Sequence, residues 1–251
     1  MTYDNPIIYG LIGKNIQYSF SRKFFLEKFE KESIINVDYK IFDLPKIEDI
    51  PCIFQNPYLK GCNVTIPYKT SIIPFLNEIT SEAKYIGSVN VIKINNKCKM
   101  GFNTDVLGFE NSFKKNLNQF TNKKNLKALI LGTGSVSKTI SFVLNKLQIP
   151  YQYVSRKKNI GFLSYEDINK NLLEEYKIII NSTPVGTYPN VNLCPSLPYR
   201  YISNEHYFYD LVYNPNKTLF LKKAEEKGAF IKNGLEMLYL QAEESWKIWQ
   251  I

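Results

Sequence analysis

Apolar runs and amphipathic stretches alternate along the chain, and their spacing predicts its elements in order. Ile7 to Ile12 is an almost unbroken apolar run closed by Gly13, the pattern of a buried strand. From about Arg22, Phe24, Phe25 and Phe29 take helical spacing, and Val37 to Phe42 reads as a second strand. Pro45, Ile47 and Ile50 mark a short helix, and Gly61 to Ile66 a third strand. Pro67 is expected to open a helix with Lys69 in its first turn. Ser88 to Ile94 and Cys98 to Phe102 alternate around Asn95 and Asn96, which predicts a hairpin, and a helix capped by Asn103 or Thr104 should then run to about Leu117.

The polar stretch Asn116 to Asn125 reads as a boundary. Strands follow near Lys127, Tyr151, Ile178 and Tyr207, the last running to Leu211. A helix from Ser135 aligns Ile140, Val143, Leu144 and Leu147 on one stripe. Tyr188 to Tyr201, carrying Pro189, Pro195 and Pro198, is expected to be a structureless connection and a mobile flap. Thr218 to Lys227 is helical, Ala229 to Ile231 is a short strand, and Gly234 opens a final helix with Leu235, Leu238, Ala242 and Trp246 on one stripe. Strands alternating with helices define an α/β protein. Two such units joined near residue 104 imply a cleft between them.

Composition narrows the classes of function. The 251 residues suffice for one large or two ordinary domains, and 44% hydrophobic against 22% charged residues is a globular balance. The net charge of +9 comes from Lys and Arg scattered along the chain, which argues against nucleic acid as the main partner and suits an anionic small molecule. Four well-separated cysteines and one histidine, His206, give no metal-ligand spacing, so no metal is expected. Asp4 and Pro6 do not suit a secretory signal, and no apolar run approaches the roughly 18 residues of a membrane span. The expectation is a soluble cytoplasmic protein with free thiols and no membrane contact.

The most informative stretch is KALILGTGSVSK, Lys127 to Lys138. An apolar strand, Gly132, Thr133, Gly134, and then Ser135 and Val136 opening a helix make the strand, tight turn and helix that receive a pyrophosphate on backbone amides. An ordinary α/β turn using glycine for geometry alone is the other reading. After the next strand come Ser155, Arg156, Lys157 and Lys158, where an NAD site would place an acidic side chain. Cations there favour the 2'-phosphate of NADP, unless they form only a solvated basic turn.

Other polar groups crowd the strand ends. Ser19 and Ser21 can cap the following helix or converge on a carboxylate. Lys69, at the positive end of its expected helix, is placed against the dipole, which points to a proton-transfer role with a lowered pKa. Thr65 lies near a strand end, Asn90 sits in the first arm of the hairpin, and Asn103, Thr104 and Asp105 crowd the strand exit between Gly101 and Gly108. Asn181, Ser182, Thr183 and Gly186 are suited to floor a nicotinamide site, and Tyr213 follows the strand near Tyr207. With no metal-ligand cluster, and with His206 read as a loop residue, Lys69 paired with Asp105 is the candidate for proton transfer to a carbonyl oxygen, by donation or by stabilising the alkoxide.

The runs SFS (Ser19–Ser21), NVTIPYK (Asn63–Lys69), GSVNV (Gly87–Val91), GFNTDVLG (Gly101–Gly108), GTGSVSK (Gly132–Lys138), NSTPVG (Asn181–Gly186), DLVYNP (Asp210–Pro215) and GLEMLYLQA (Gly234–Ala242) resemble the shikimate dehydrogenase family from end to end. The resemblance implies reversible reduction of 3-dehydroshikimate to shikimate with NADPH, on the way to aromatic amino acids. It implies that Ser19 and Ser21 bind the substrate carboxylate, that Lys69 and Asp105 hold the reacting hydroxyl, and that Thr65, Asn90, Tyr213 and Gln241 complete the substrate shell. The cofactor set extends to Thr183, Leu211 and Gly234. The implied fold is a substrate-binding α/β domain over residues 1–103, a Rossmann NADP-binding domain over 104–234, and a helix over 235–251 packing back on the first.

Three positions depart from the family pattern: Tyr18 and Arg22 where it often has histidine and proline, and Ser135 where it has a third glycine. Ser155 also replaces the usual asparagine, while Arg156 is kept. A quinate/shikimate dehydrogenase that also uses NAD and a non-catalytic ligand-binding relative are the alternatives. Monomer and homodimer are both compatible with the sequence.

Overall fold

The protein, seen as a computed structural model, is described for residues 6–17, 19–120, 125–157 and 160–250. Tyr18, the 121–124 part of the expected boundary, and Lys158 of the basic turn lie outside the described residues. The chain forms two compact units, Met1–Thr104 with Ala242–Ile251, and Asp105–Gln241.

In the first unit β1 (Ile7–Gly13) leads to α1 (Phe20–Lys31), which buries Phe24, Phe25 and Phe29. The helix starts ahead of the expected Arg22 because Ser19, not Ser21, is its cap, accepting from the Ser21 amide at 3.2 Å. β2 (Val37–Asp43), a 3-10 turn running into α2 (Ile50–Phe54), and β3 (Leu59–Val64) follow. Next come β4 (Glu78–Ile79), α3 (Ser81–Ile86), β5 (Val91–Asn95) and β6 (Cys98–Phe102). Asn96 and Lys97 turn the β5–β6 hairpin with φ of 47° and 67°, the left-handed geometry that two-residue hairpins need. The sheet order is β2-β1-β3-β5-β6-β4, with β5 antiparallel to both neighbours. Alternation along β1 sends Ile8 and Ile12 into one core and Tyr9 and Leu11 into another.

The expected helix at Pro67 is absent. Residues 66–72 form successive turns, and the only regular turn after them is the 3-10 segment Ile73–Phe75. Pro74 removes an amide and disfavours helix at Ile73, while Thr70, Ile72 and Ile73 are β-branched, so no helical ladder propagates. The dipole argument for Lys69 therefore has no basis in the fold.

The second unit opens with α4 (Asp105–Phe120), which takes up the first half of the expected polar boundary. β7 (Ala128–Leu131), α5 (Ser135–Lys146), β8 (Tyr151–Ser155), β9 (Leu163–Ser164) and α6 (Lys170–Glu175) follow. β10 (Ile178–Asn181), β11 (Tyr207–Asp210), α7 (Leu219–Glu225), β12 (Phe230–Asn233) and α8 (Leu235–Gln250) complete it, the last ten residues of the chain being counted with the first unit. All strands are parallel in the order β12-β11-β10-β7-β8-β9, the doubly wound arrangement whose strand order reverses beside the first strand. β7, β10 and β11 are buried throughout, which is why they read as unbroken apolar runs.

The Tyr188–Tyr201 segment is irregular, as expected, but it is not a free flap. Leu197 is buried in the core with Phe208 and Phe220, Cys194, Tyr199 and Tyr201 pack against that cluster, and the Tyr199 hydroxyl donates to the Pro195 carbonyl at 2.9 Å. In the first unit the end of α8 closes one sheet face: Trp249 donates from Nε1 to the Ile92 carbonyl at 3.0 Å and stacks on Tyr9. Gly61 makes room for it, since a Cβ there would stand 2.3 Å from Trp249 Nε1.

Candidate functional site

In the second unit the site is built first from backbone. At the end of β7 the chain turns through Gly132, whose φ of +106° favours glycine and whose missing Cβ would stand 2.8 Å from Thr183 Cγ2. Gly134 is the N-cap of α5 and brings no side chain to the first amides of the helix, and a Cβ added there would meet nothing within 4 Å. Those amides and the positive end of the helix are left to a ligand.

The turn borders a cavity of about 920 Å³ at the carboxyl ends of β7, β8 and β10. Gly132, Thr133, Gly134, Ser155, Arg156, Lys157, Ser182 and Thr183 line it, joined by Tyr165, Pro184, Val185 and Cys194–Ser196, which sequence reading did not place in the cofactor site. Arg156 and Lys157 are exposed, and the Lys157 amide donates to Ser155 Oγ at 3.3 Å. An uncapped helix end, a backbone free of side chains and two cations in one cavity fit a dinucleotide carrying an extra phosphate. Ser135 and Val136 sit in the first turn of α5 outside the lining. Leu211 and Gly234 meet each other instead: a Cβ on Gly234 would stand 2.1 Å from the Leu211 carbonyl oxygen, so that position admits only glycine.

Behind the cavity wall lies a buried polar chain. Asp210, fully buried at the end of β11, accepts from Asn181 Nδ2 at 2.9 Å and from the Val212 amide at 3.1 Å on Oδ1, and from Thr218 Oγ1 at 2.6 Å on Oδ2. Asn181 Oδ1 in turn accepts from the Thr183 amide at 3.1 Å and hydroxyl at 2.6 Å. Burial pushes the Asp210 carboxyl up to about 6, against the pull of its three donors. His206 is buried too. Its Nε2 donates to the Leu173 carbonyl at 2.9 Å and its Nδ1 accepts from the Ser203 amide at 3.1 Å, while burial lowers its pKa, so it is a neutral structural residue.

In the first unit the strand ends carry side chains instead of bare backbone. Asn90 accepts from the Thr104 amide on Oδ1 at 2.7 Å and donates from Nδ2 to Thr104 Oγ1 at 3.0 Å. Asn63 donates to Ser245 Oγ at 2.9 Å and accepts from the Tyr39 hydroxyl at 2.7 Å, and Thr104 Oγ1 and Ser245 Oγ lie 3.4 Å apart. Ser21 is within hydrogen-bonding reach of Tyr39, whose hydroxyl is pushed well up by burial. Thr65 follows β3 with its amide on the Ile12 carbonyl at 2.9 Å, and its methyl occupies the space that a Cβ on Gly13 would need.

Lys69 is half-buried in its turn, and its carbonyl accepts from the Val89 amide at 2.8 Å, next to Asn90. Asp105 is buried in the first turn of α4, directly after Thr104. Tyr213 is exposed after β11, and Gln241 donates to the Leu238 carbonyl at 3.0 Å on α8. Gln241 packs closely on α4, because a Cβ on Gly108 would stand 3.0 Å from its Cβ. Among the described residues no group of three His, Cys, Asp or Glu side chains is placed to hold a metal ion, and no helix is long and apolar enough to cross a membrane.

The reversed strand order and the glycine cradle at its switch point define the second unit as a dinucleotide-binding domain of the Rossmann type. The family profile of the shikimate dehydrogenase substrate binding domain matches residues 11–92 of the first unit. The shikimate dehydrogenase (NADP(+)) of Methanococcus vannielii is 34% identical over 99% of this chain and 93% of its own. That of Clostridium botulinum is 37% identical over 96% of this chain and 95% of its own. A solved shikimate dehydrogenase in complex with NADP+ superposes with a TM-score of 0.85 at 29% identity, covering 97% of this chain and 90% of that one. The chain belongs to the shikimate dehydrogenase family.

Proposed function

We infer that the protein catalyses the reversible reduction of 3-dehydroshikimate to shikimate with a nicotinamide dinucleotide, a step of the shikimate pathway. The observation that carries this reading is the likeness along nearly the whole chain to shikimate dehydrogenases, joined to a cradle that fits the cofactor. NADP(H) is the preferred form because Arg156 and Lys157 offer cations where the 2'-phosphate would lie.

The bound dinucleotide supplies the hydride for the ketone carbon. Lys69 serves the carbonyl oxygen, stabilising the growing alkoxide and giving it a proton, and Asp105 orients the ammonium. In the oxidative direction the same pair takes the proton back. Ser19 keeps its hydroxyl proton for the substrate carboxylate, since its oxygen already accepts from the Ser21 amide. Ser21 gives the second contact, and Thr65, Asn90, Tyr213 and Gln241 complete the substrate shell. Gly132, Thr133, Gly134, Ser135 and Val136 receive the pyrophosphate, Ser155, Arg156 and Lys157 the adenosine end, and Thr183, Leu211 and Gly234 the nicotinamide end.

Purified protein should oxidise shikimate with NADP+ and reduce 3-dehydroshikimate with NADPH, followed at the reduced nicotinamide absorbance. Equal or better kcat/KM with quinate and NAD would replace this assignment by a quinate/shikimate dehydrogenase. Binding of both ligands without turnover would replace it by a ligand-binding relative.

A further inference from the structure

We propose that Asp210 is a positioning residue for the dinucleotide, acting through Asn181 on Thr183 at the wall of the cavity. The inference rests on the cofactor reading above. Asn181 has one amide to orient and two neighbours to serve. Asp210 Oδ1 can only accept, so it draws Asn181 Nδ2 to itself at 2.9 Å, and the same amide group lies 3.4 Å from the Val185 carbonyl. Asn181 Oδ1 is thereby turned to the other side, where it takes both the amide and the hydroxyl proton of Thr183. Thr183 Oγ1 also accepts from the Val185 amide at 3.3 Å.

Thr183 is thus held with its methyl against Gly132, where a Cβ would stand 2.8 Å away. One carboxylate, two residues removed from the cavity, sets the wall that faces the glycine cradle.

Asp210 is fully buried, and its carboxylate is met by three neutral donors, Asn181, Val212 and Thr218, with no cation among them. The link to Asn181 needs an acceptor at Oδ1, where the Val212 amide also donates. Asp210→Ala removes that acceptor and leaves Asn181 Nδ2 with the Val185 carbonyl at 3.4 Å, which loosens the hold on Thr183.

The test is calorimetric titration of NADP+ into the wild type and three variants, with steady-state kinetics alongside. Asp210→Ala should weaken NADP+ binding about tenfold and raise its KM in step, leaving kcat at saturating cofactor and the KM for shikimate within about twofold. Thr218→Val removes the 2.6 Å bond to Oδ2 but leaves the Oδ1–Asn181 link, so it should lower the melting temperature and leave NADP+ binding within about twofold. Thr183→Val keeps the shape of the wall and its amide bond to Asn181 but removes the 2.6 Å hydroxyl bond, and should weaken NADP+ binding at least about threefold.

NADP+ binding by Asp210→Ala within about twofold of wild type overturns the proposal, as does an equal loss in Thr218→Val. If Asp210→Ala does not fold, Thr183→Val decides, and unchanged binding there overturns it. Wild type that binds NADP+ but does not turn over shikimate removes the proposed activity and leaves the relay standing.

Discussion

The two units furnish their strand ends by opposite means. The second uses what side chains leave out. Gly132 and Gly134 bare the backbone, the α5 amides carry the positive potential, and the few charged groups, Arg156 and Lys157, are exposed. The first uses what side chains add, a buried set of Asn63 from β3, Asn90 just before β5, Thr104 between β6 and α4, and Ser245 on α8. A backbone cradle depends on a few glycines and tolerates change around them. A side-chain network fails with any member, because the partner left behind is buried and unpaired.

The largest effect should come from the reacting pair, which belongs to neither device. Lys69→Ala is expected to lower kcat by roughly 10²-fold or more, with the KM for shikimate much less affected because in the proposed site the carboxylate is held by Ser19 and Ser21. Asp105→Asn should also cost kcat, and the double variant should lose less than the sum of the two free-energy changes. Turnover near the wild-type rate in Lys69→Ala would sink the mechanism and leave Lys69 a turn residue.

Next in size is the network. Asn90→Ala removes the side-chain bonds to Thr104 and strands the buried Thr104 amide, so unfolding in urea should show a loss of about 2–3 kcal/mol. The same loss is not expected from Gly134→Ala, where the added Cβ meets nothing, yet that substitution should weaken dinucleotide binding by covering the helix amides. If Asn90→Ala unfolds with the wild-type midpoint, the contrast between the two units is wrong.

Smaller still is the choice of cofactor. Arg156→Ala should raise the KM for NADPH about tenfold, near 1.4 kcal/mol, and barely change that for NADH. Its exposure means the melting temperature should stay put. Equal losses with both cofactors would show that Arg156 does not act on the 2'-phosphate.

The same contrast explains what could be read in the sequence. The cradle was legible because it is local: strand, two glycines and helix stand within Lys127–Lys138. The β5–β6 hairpin was legible for the same reason. Lys69 is singled out in the sequence for a reason the fold does not support, since its helix is absent, and its carbonyl is instead fixed by Val89. The network and the Asp210 relay were not legible, because Asn63, Asn90, Thr104 and Ser245, or Asn181, Thr183, Asp210 and Thr218, meet only once the sheets have formed. An acid closing the apolar strand Tyr207–Asp210 was the one available signal for the relay. α3 and α6, six residues each, are too short to show a period.

The smallest effect separates the two units by pH. The network members Asn63, Asn90, Thr104 and Ser245 carry nothing that titrates between about pH 4 and 8, and burial moves Tyr39 further away. The second unit holds two buried groups that do, at either end of β11. His206 has a folded pKa below its ordinary value, so its contribution is full above about pH 6.5 and is lost as pH falls through the folded value, because the unfolded chain takes the proton first. Asp210 has a folded pKa raised to about 6, so its contribution is full below the ordinary value of about 3.9 and is lost as pH rises through 6. On acidification from pH 6.5 the histidine lowers stability while, below about pH 6, the aspartate raises it, and each slope is at most about 1.4 kcal/mol per pH unit. His206→Gln keeps a donor for the Leu173 carbonyl and removes the titration. Its stability relative to wild type should therefore rise as pH falls from about 6.5 to 5, by no more than about 1.4 kcal/mol per pH unit. Urea midpoints at several pH values measure this directly, and parallel curves for the two proteins would mean that His206 is not held neutral by its burial.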